Sequence, residues 1–293
     1  MPAAPGARQV QVRVFRAALN PKDALFRKGR FRLFSGARFP KSCGLDFAGE
    51  IAASNLPGLR VGDRVFGALN EWRFARGTLA EHVVIGEDEV SALPEGVSFD
   101  EGAAVALAGL TALQALRDVA RISAGAEVLI NGASGGVGTV AIQIARLLGA
   151  RVTSVSSATN LKLCADLGAE LTLDYESGDF LESRRRYDCV FDVFGNLAFA
   201  RARPALKNRG VFVSTVPSLF RAVRDLVSRL SSRSERLVVV KSKRMDLEQL
   251  AVWLARGELR AVIDSRYKLE DAADAFRRLE SKRTRGKLVI EIA

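Results

Sequence analysis

The pattern of apolar and polar positions divides the chain into two stretches of different character. Over residues 9–15 apolar and polar side chains alternate, which predicts a half-buried β-strand. Short β-rich runs broken by Gly and Pro follow at 47–52, 61–67 and 79–85. We therefore predict that the first third of the chain folds as a small, irregular β domain.

Beyond about residue 94 the pattern changes to an alternation of strands and helices. An Ala- and Leu-rich run with helical spacing covers residues 99–117. Continuous apolar strands are then predicted at 127–132, 151–156, 171–175, 187–195 and 210–216, with helices at 136–149, 160–168, 246–255 and 269–280 and a last strand at 287–292. Apolar strands between helices indicate a parallel sheet that is covered on both faces. The fold class is therefore α/β.

Length and composition fit an ordinary globular protein. The 293 residues suggest about two domains. Since the sequence has neither a secretory signal nor a long uncharged apolar run, we expect a cytoplasmic protein. Cys43, Cys164 and Cys189 lie far apart and are odd in number, so no disulfide framework is expected. Without a CxxC pair, no structural zinc site is expected either, and Cys43 is interpreted as a packed small residue.

The strongest local signal is the glycine-rich segment INGASGGVG at residues 130–138. Its glycines at 132, 135 and 138 lie between a predicted strand and a predicted helix, as in a variant of the dinucleotide-binding fingerprint. Glycine permits close backbone approach, and the helix N-terminus offers free N–H groups to a pyrophosphate. The alternative interpretation is a simple strand-to-helix turn.

The end of the second apolar strand indicates which dinucleotide would bind. An NAD enzyme needs Asp or Glu there for the ribose hydroxyls. This chain instead has Ser156, Ser157 and Asn160, with Lys162 close by and no carboxylate to repel a 2′-phosphate. The segment therefore favours NADPH, although the serines could simply cap the next helix.

Three separated motifs carry a family resemblance. GASGGVGTVAIQIARLLGA, the upstream EGAAVALAGLTALQAL (101–116) and the downstream YDCVFDVFGN (187–196) resemble the zinc-free quinone oxidoreductase branch of the medium-chain dehydrogenase/reductase superfamily. The resemblance implies a GroES-like β-rich catalytic domain and a Rossmann domain with a doubly wound parallel sheet. Residues 1–100 would form the first part of the GroES-like domain, without the strand pair with which relatives begin. Residues 101–258 would form the NADP-binding domain, and 259–293 would return to the catalytic domain.

The resemblance also implies the site residues. Asn20 would line the substrate pocket as the candidate catalytic donor. The residues implied at the cofactor come from the loop, the strand ends and the last strand: Thr111, Ser134, Gly135, Gly136, Val137, Gly138, Ser156, Ser157, Asn160, Tyr175, Phe194, Gly195, Thr215, Val216 and Lys287. No metal is expected, because Leu45 stands where zinc-dependent members carry a histidine. His82 is interpreted as structural rather than as a general acid.

The charge of the chain leaves other functions open. The formal net charge is +11, and basic residues concentrate in an amphipathic stretch at 219–244. This stretch could rest on an anionic membrane or bind RNA, although it has few aromatic side chains for base stacking. Alternatively, it is a solvated helix followed by a strand, LVVV at 237–240, that pairs across a homodimer, as the family resemblance supports.

These observations favour one function and keep two alternatives. The favoured function is metal-free hydride transfer from NADPH to a quinone or an α,β-unsaturated carbonyl. One alternative is a relative that binds the cofactor without catalysis, because of the short N-terminus. The other is an NADPH-responsive protein that binds RNA or an anionic membrane, because of the charge.

Overall fold

The computed structural model describes residues 4–36, 41–71, 75–182, 185–216, 225 and 232–293. The strands are β1 (Gln9–Ala18), β2 (Asp46–Ser54), β3 (Arg64–Ala68), β4 (His82–Gly86), β5 (Val90–Ala92), β6 (Glu127–Asn131), β7 (Arg151–Ser156), β8 (Leu171–Asp174), β9 (Tyr187–Asp192), β10 (Leu206–Ser214), β11 (Ser234–Leu237), β12 (Ile263–Lys268) and β13 (Lys287–Glu291). The helices are α1 (Pro21–Arg27), α2 (Arg32–Ser35), α3 (Phe99–Leu113), α4 (Gly136–Leu147), α5 (Leu161–Asp166), α6 (Phe199–Ala202), α7 (Arg244–Ala255) and α8 (Ala272–Glu280).

The chain divides into two compact units, and the first takes residues from both ends. Met1–Leu110 and Lys241–Ala293 form this unit. Its sheet has the order β12-β13-β1-β2-β3-β5, with β4 also paired to β1. The predicted alternation is confirmed in β1, where Val10, Val12 and Val14 are fully buried. Since β13 pairs antiparallel with β1, the C-terminal strand completes a sheet that begins near the N-terminus.

The second unit, Thr111–Val240, is the predicted parallel α/β structure. Its sheet has the order β11-β10-β9-β6-β7-β8, and every pairing given within it is parallel. Numbered from β6, this is the strand order 3-2-1-4-5-6 of dinucleotide-binding folds. The order reverses between β6 and β9, and such sheets bind their ligands beyond the carboxyl ends of the strands at that point. The α/β fold class is confirmed.

The basic stretch at 219–244 departs from its predicted structure in its described residues, 225 and 232–244. Residues 217–224 and 226–231 lie outside the described residues, and with them most of the amphipathic segment. The strand predicted at 237–240 is shifted: β11 ends at Leu237, and Val238–Val240 form no strand. β11 pairs in parallel with β10 of the same chain, because the backbone N–H and C=O groups along that edge of β10 are available for pairing. Pairing across a homodimer stays a prediction.

Candidate cofactor and substrate site

The glycine-rich turn lets β6 and α4 approach closely. Gly132 has a φ of +82°, which glycine adopts without strain. A Cβ on Gly138 would lie 2.2 Å from the carbonyl oxygen of Gly132, so the helix and the turn are in backbone contact. A Cβ on Gly135, in contrast, would meet no atom nearer than 3.5 Å. The turn is therefore packed on its inner side and open at Gly135, which fits close approach of a phosphate.

The start of α4 adds N–H groups to this turn. The helix runs for 12 residues from Gly136, and the N–H of Thr139 donates to the carbonyl of Gly135 at 2.9 Å. The N–H groups before Thr139, those of Gly136, Val137 and Gly138, have no acceptor one helical turn earlier. Together with the helix dipole they favour an anion at this end. The turn and helix thus fit the pyrophosphate of a dinucleotide.

Three of the predicted polar residues meet at the end of β7. The Asn160 side-chain amide donates to Ser157 Oγ at 3.0 Å and to Ser134 Oγ at 3.3 Å. The hydroxyls of Ser157 and Thr159 lie 3.2 Å apart. These contacts connect the glycine-rich turn with the segment after the second strand of the parallel sheet. The structure therefore gathers neutral donors at the position where a ribose would be recognised.

Ser156 lies apart from this cluster. It is only 3% exposed, and its hydroxyl donates to the Ser157 carbonyl at 3.3 Å and accepts from Cys164 Sγ at 3.7 Å. The hydroxyl is thus used inside the protein. Ser156 fits a structural role at the strand end better than contact with a ligand.

Large apolar side chains are exposed just beyond the carboxyl ends of three strands in this unit. Tyr175, Phe194 and Val216 are 52%, 49% and 41% exposed and follow β8, β9 and β10. The hydroxyl of the intervening Thr215 donates to the Val193 carbonyl at 3.2 Å. Exposed apolar side chains at the carboxyl ends of a parallel sheet are typical of a ligand site.

A buried carboxylate shapes the turn after β9. Asp192 is fully buried and accepts hydrogen bonds from the Asn131 side chain at 2.9 Å, the Gly195 N–H at 2.9 Å and the Leu197 N–H at 3.2 Å. A Cβ on Gly195, whose φ is +83°, would lie 2.2 Å from Val216 Cγ2. Asp192 therefore fixes the turn that presents Phe194. The sequence analysis missed this residue.

The first unit holds a separate, buried polar cluster. Lys287 Nζ donates to Asn20 Oδ1 at 2.6 Å and to Asp46 Oδ2 at 2.8 Å, and Asn20 Nδ2 donates to the same Asp46 oxygen at 2.7 Å. Asn20, Asp46 and Lys287 are 7%, 0% and 5% exposed. The structure thus joins two predicted site residues through Asp46, which the sequence analysis did not assign to the site. Taking both charges of this ion pair out of water carries a desolvation cost, which their attraction and the hydrogen bonds from Asn20 offset.

A second carboxylate, Asp23, lies beside this cluster. It accepts the Asn20 N–H at 2.8 Å and the Gly44 N–H at 3.2 Å. Burial raises the pKa of Asp23 to about 6, and the Asp46 charge adds to the rise, while the two N–H donors and Lys287 act against it. The spacing of Asn20 and Asp23 is that of a helix-capping box, a local signal that could have identified Asp23.

The remaining predicted residues are placed as follows. Thr111 is 7% exposed and lies in α3. Leu45 is 1% exposed and packs in the apolar core, where its hydrocarbon side chain cannot bind a metal. Burial raises the pKa of the Cys43 thiol to about 11, so it is protonated at neutral pH. His82 begins β4 opposite Arg13 of β1.

The described residues contain neither a metal-binding cluster nor a helix that could span a membrane. No group of three or more His, Cys, Asp or Glu side chains in the described ranges could hold a metal ion. Within the same ranges, no helix has the length and hydropathy to cross a bilayer.

Comparisons of sequence agree with the fold of each unit. Residues 6–95 match the alcohol dehydrogenase GroES-like domain, and residues 167–290 match the zinc-binding dehydrogenase family. The zinc-type alcohol dehydrogenase-like protein of Schizosaccharomyces pombe is 36% identical over 99% of this chain and 89% of its own length. A trans-enoyl reductase of Aspergillus terreus is 33% identical over 98% of this chain and 87% of its own length.

Solved structures give the same result. The quinone oxidoreductase of Coxiella burnetii superposes with a TM-score of 0.89 at 29% identity, covering 100% of this chain and 93% of that one. The Escherichia coli quinone oxidoreductase, solved in complex with NADPH, has a TM-score of 0.83 at 26% identity, with 99% and 94% covered. The chain therefore belongs to the quinone oxidoreductase branch of the medium-chain dehydrogenase/reductase superfamily of oxidoreductases.

Proposed function

We propose that this protein is a metal-independent, NADPH-dependent reductase of quinones or α,β-unsaturated carbonyls. The observation that carries the proposal is the glycine-rich turn, closed by backbone contact at Gly138 and open at Gly135, at the switch point of a 3-2-1-4-5-6 sheet. The quinone and enoyl reductases among the relatives support this substrate class.

The preference for NADPH rests on the polar cluster after β7. Ser134, Ser157 and Asn160 are linked by hydrogen bonds, and no carboxylate takes part in them. Neutral hydroxyl and amide groups can hydrogen-bond a 2′-phosphate, whereas Asp or Glu would repel it. The relative that was solved with NADPH supports the same choice.

The residues of this chain would bind and orient the reactants. NADPH supplies a hydride, and a proton from solvent completes the two-electron reduction of the quinone or C=C bond. The turn and the start of α4 would hold the pyrophosphate. Phe194 and Val216, both exposed, would exclude water from the reacting end. Negative charge develops on the acceptor oxygen as the hydride arrives, so a fixed hydrogen-bond donor there lowers the barrier.

The experiment measures NADPH and NADH consumption by purified protein with a panel of quinones, enones and enals. We expect turnover with NADPH, unchanged by a metal chelator, and weaker binding of NADH in a fluorescence titration. Ser157→Asp should shift the preference toward NADH by about tenfold or more, because it adds a carboxylate where the 2′-phosphate would bind.

Ser123→Asp is the matched control, since Ser123 is exposed in the turn before β6 and should leave the preference unchanged. Equal affinity of the wild type for the two cofactors would contradict the NADPH assignment. Binding of NADPH without oxidation by any acceptor would favour a non-catalytic relative.

A homodimer formed through the sheet edge at β11 belongs to the same proposal, and light scattering of the purified protein tests it.

A further inference from the structure

Asn131 ends β6 at the point where the strand order of the parallel sheet reverses. It pairs with Val155 of β7 on one side and with Asp192 of β9 on the other. Its backbone carbonyl accepts the N–H groups of Val193 and Phe194 at 3.1 and 3.3 Å. Asn131 therefore lies between the glycine-rich turn that follows it and the turn after β9, and all of these residues belong to the second unit.

Two neighbouring oxygens fix the orientation of the Asn131 side-chain amide. Its two hydrogens are both used, one on Asp192 Oδ1 at 2.9 Å and one on Asn196 Oδ1 at 2.7 Å. A flipped amide would place Asn131 Oδ1 against the Asp192 carboxylate, which is repulsive because both atoms are acceptors. Asp192 Oδ1 is itself held by the Gly195 N–H at 2.9 Å. The Asn131 side-chain oxygen thus has a fixed position.

This side-chain oxygen is an unused acceptor. Within the part of the chain that the structure describes, no residue donates a hydrogen bond to it. Asn131 is 5% exposed, and its oxygen is not among the partnerless side-chain oxygens that the described residues seal from solvent. Its neighbours Phe194 and Asn196 are both exposed. The oxygen is therefore available to a donor from outside the protein, and such a donor would satisfy a nearly buried polar atom.

The place of Asn131 in the sheet indicates which part of a dinucleotide would donate to it. Dinucleotides bind across the switch point, with the adenosine ribose at the end of the second strand, here β7, and the pyrophosphate at the glycine-rich turn. The Asn131 side chain contacts the other side, at the end of β9. A pyrophosphate has no hydrogen to donate at neutral pH, whereas the nicotinamide half carries ribose hydroxyls and a carboxamide N–H.

We infer that Asn131 Oδ1 accepts a hydrogen bond from the nicotinamide half of the cofactor, with Asp192 and Asn196 as its positioning residues. The donor is a ribose hydroxyl or the carboxamide. The inference rests on the proposed function and adds a specific contact to it. An acceptor that is oriented before the ligand arrives loses little side-chain entropy on binding, so its hydrogen bond contributes more to affinity.

The test measures Kd by calorimetry for ligands that share the adenosine 2′-phosphate. NADP⁺ carries both donors, its 3-acetylpyridine analogue lacks the carboxamide N–H, 2′-phospho-ADP-ribose keeps only the terminal ribose, and 2′,5′-ADP lacks the whole nicotinamide half. Asn131→Leu removes the acceptor with little change in side-chain volume. It should raise the Kd for NADP⁺ about tenfold and leave the Kd for 2′,5′-ADP unchanged.

The two intermediate ligands identify the donor. If a ribose hydroxyl donates, the Asn131→Leu variant should lose the same affinity for 2′-phospho-ADP-ribose as for NADP⁺. If the carboxamide donates, the loss should disappear with 2′-phospho-ADP-ribose and with the acetylpyridine analogue. Each of these results supports the inference.

Gln143→Leu is the matched control, since Gln143 is 3% exposed in α4 and donates to the Thr139 carbonyl at 2.9 Å. It replaces another buried amide of the same unit by the same apolar side chain and should leave all of the affinities unchanged. If Asn131→Leu does not fold, Asn131→Ala removes the same acceptor with a smaller side chain.

Several results would overturn the inference. These are an equal loss with 2′,5′-ADP and NADP⁺, no loss with any ligand, and an equal loss in Gln143→Leu. A loss with NADP⁺ and the acetylpyridine analogue but not with 2′-phospho-ADP-ribose would also overturn it, because only the packing of the ring would have changed.

The titrations require no turnover, which separates this inference from the proposed function. A protein that shows the expected pattern of affinities but reduces no acceptor would contradict the proposed reduction alone. A protein that reduces quinones with NADPH but shows no loss of affinity in Asn131→Leu would contradict only the role of Asn131. A wild type that binds none of these ligands would contradict both.

Discussion

At the scale of single residues, Asp23 is a carboxyl group whose ionisation the fold disfavours. Its carboxyl is fully buried, and two backbone N–H groups donate to it without compensating the loss of water. Burial raises its pKa from 3.8 to about 6. The folded protein therefore holds the Asp23 proton more tightly than the unfolded chain does.

This difference predicts how stability depends on pH. Below about pH 4 the carboxyl is protonated in both states, and between about pH 4 and 6 only the folded state retains the proton. The free energy of unfolding should thus fall as the pH rises through this range, by up to roughly 3 kcal/mol, and level off above it. Asp23→Asn cannot titrate and should lack this component.

Denaturant unfolding of both proteins between pH 4 and 8 checks this prediction. The stability of the variant relative to wild type should increase as the pH rises from about 4 to 6. At any single pH the variant loses one of the two N–H hydrogen bonds, so the slope is the diagnostic quantity. A constant difference across the range would show that Asp23 ionises normally.

The site residues differ in how far the sequence reveals them. Ser134, Ser157 and Asn160 follow predictable strands, and the structure brings them together. Asp46 and Lys287 are 241 positions apart, and only the pairing of β13 with β1 and of β1 with β2 brings them into contact. No local pattern contains that information. The resemblance indicated Lys287 but not its partner.

At the scale of elements, the turn between β6 and α4 offers a pair of matched substitutions. Gly138→Ala should destabilise the fold, because its Cβ would lie 2.2 Å from the Gly132 carbonyl oxygen and backbone atoms would have to move. Gly135→Ala should leave the stability nearly unchanged, because its Cβ meets nothing nearer than 3.5 Å and its φ is −81°. It should nevertheless weaken NADPH binding about tenfold or more, since the methyl group fills the space open to the phosphates.

Thermal unfolding and fluorescence titration of both variants separate the two effects. The expected result is a lowered Tm for Gly138→Ala and a raised Kd with an unchanged Tm for Gly135→Ala. If Gly135→Ala binds NADPH like wild type, the open side of the turn does not face the cofactor.

Elements with a clear period were predictable, and the others were not. The alternation of β1 identified the strand, although β1 extends three residues beyond the predicted 15 to Ala18. β12, with the sequence IDSRYK, was missed because it is polar and lies at the sheet edge, where little apolar burial is needed. The seven-residue α1 was missed because Pro21 suggests a turn, although Pro is well suited to the first helical position.

At the scale of the whole molecule, the chain returns to its first unit after completing the parallel sheet. β12 and β13 join the sheet that β1 begins, so residues 263–291 stabilise strands formed near the N-terminus. The family resemblance implied this return. The local pattern alone predicted only a helix and a last strand at that end.

The net charge of +11 also belongs to this scale, and we expect it to act as dispersed charge. The protein should be retained on immobilised RNA at low salt and released by about 0.2 M, as weak non-specific binding requires. Arg121 and Arg209 line a pocket of about 380 Å³ in the second unit. Changing both to Glu should weaken retention no more than changing the exposed Arg60 and Arg256. Salt-gradient elution of the two double variants tests this expectation. If only the change of Arg121 and Arg209 weakened retention on RNA, the pocket would contain a specific anion site. Binding of a polyanionic partner would then be supported as a function of the protein.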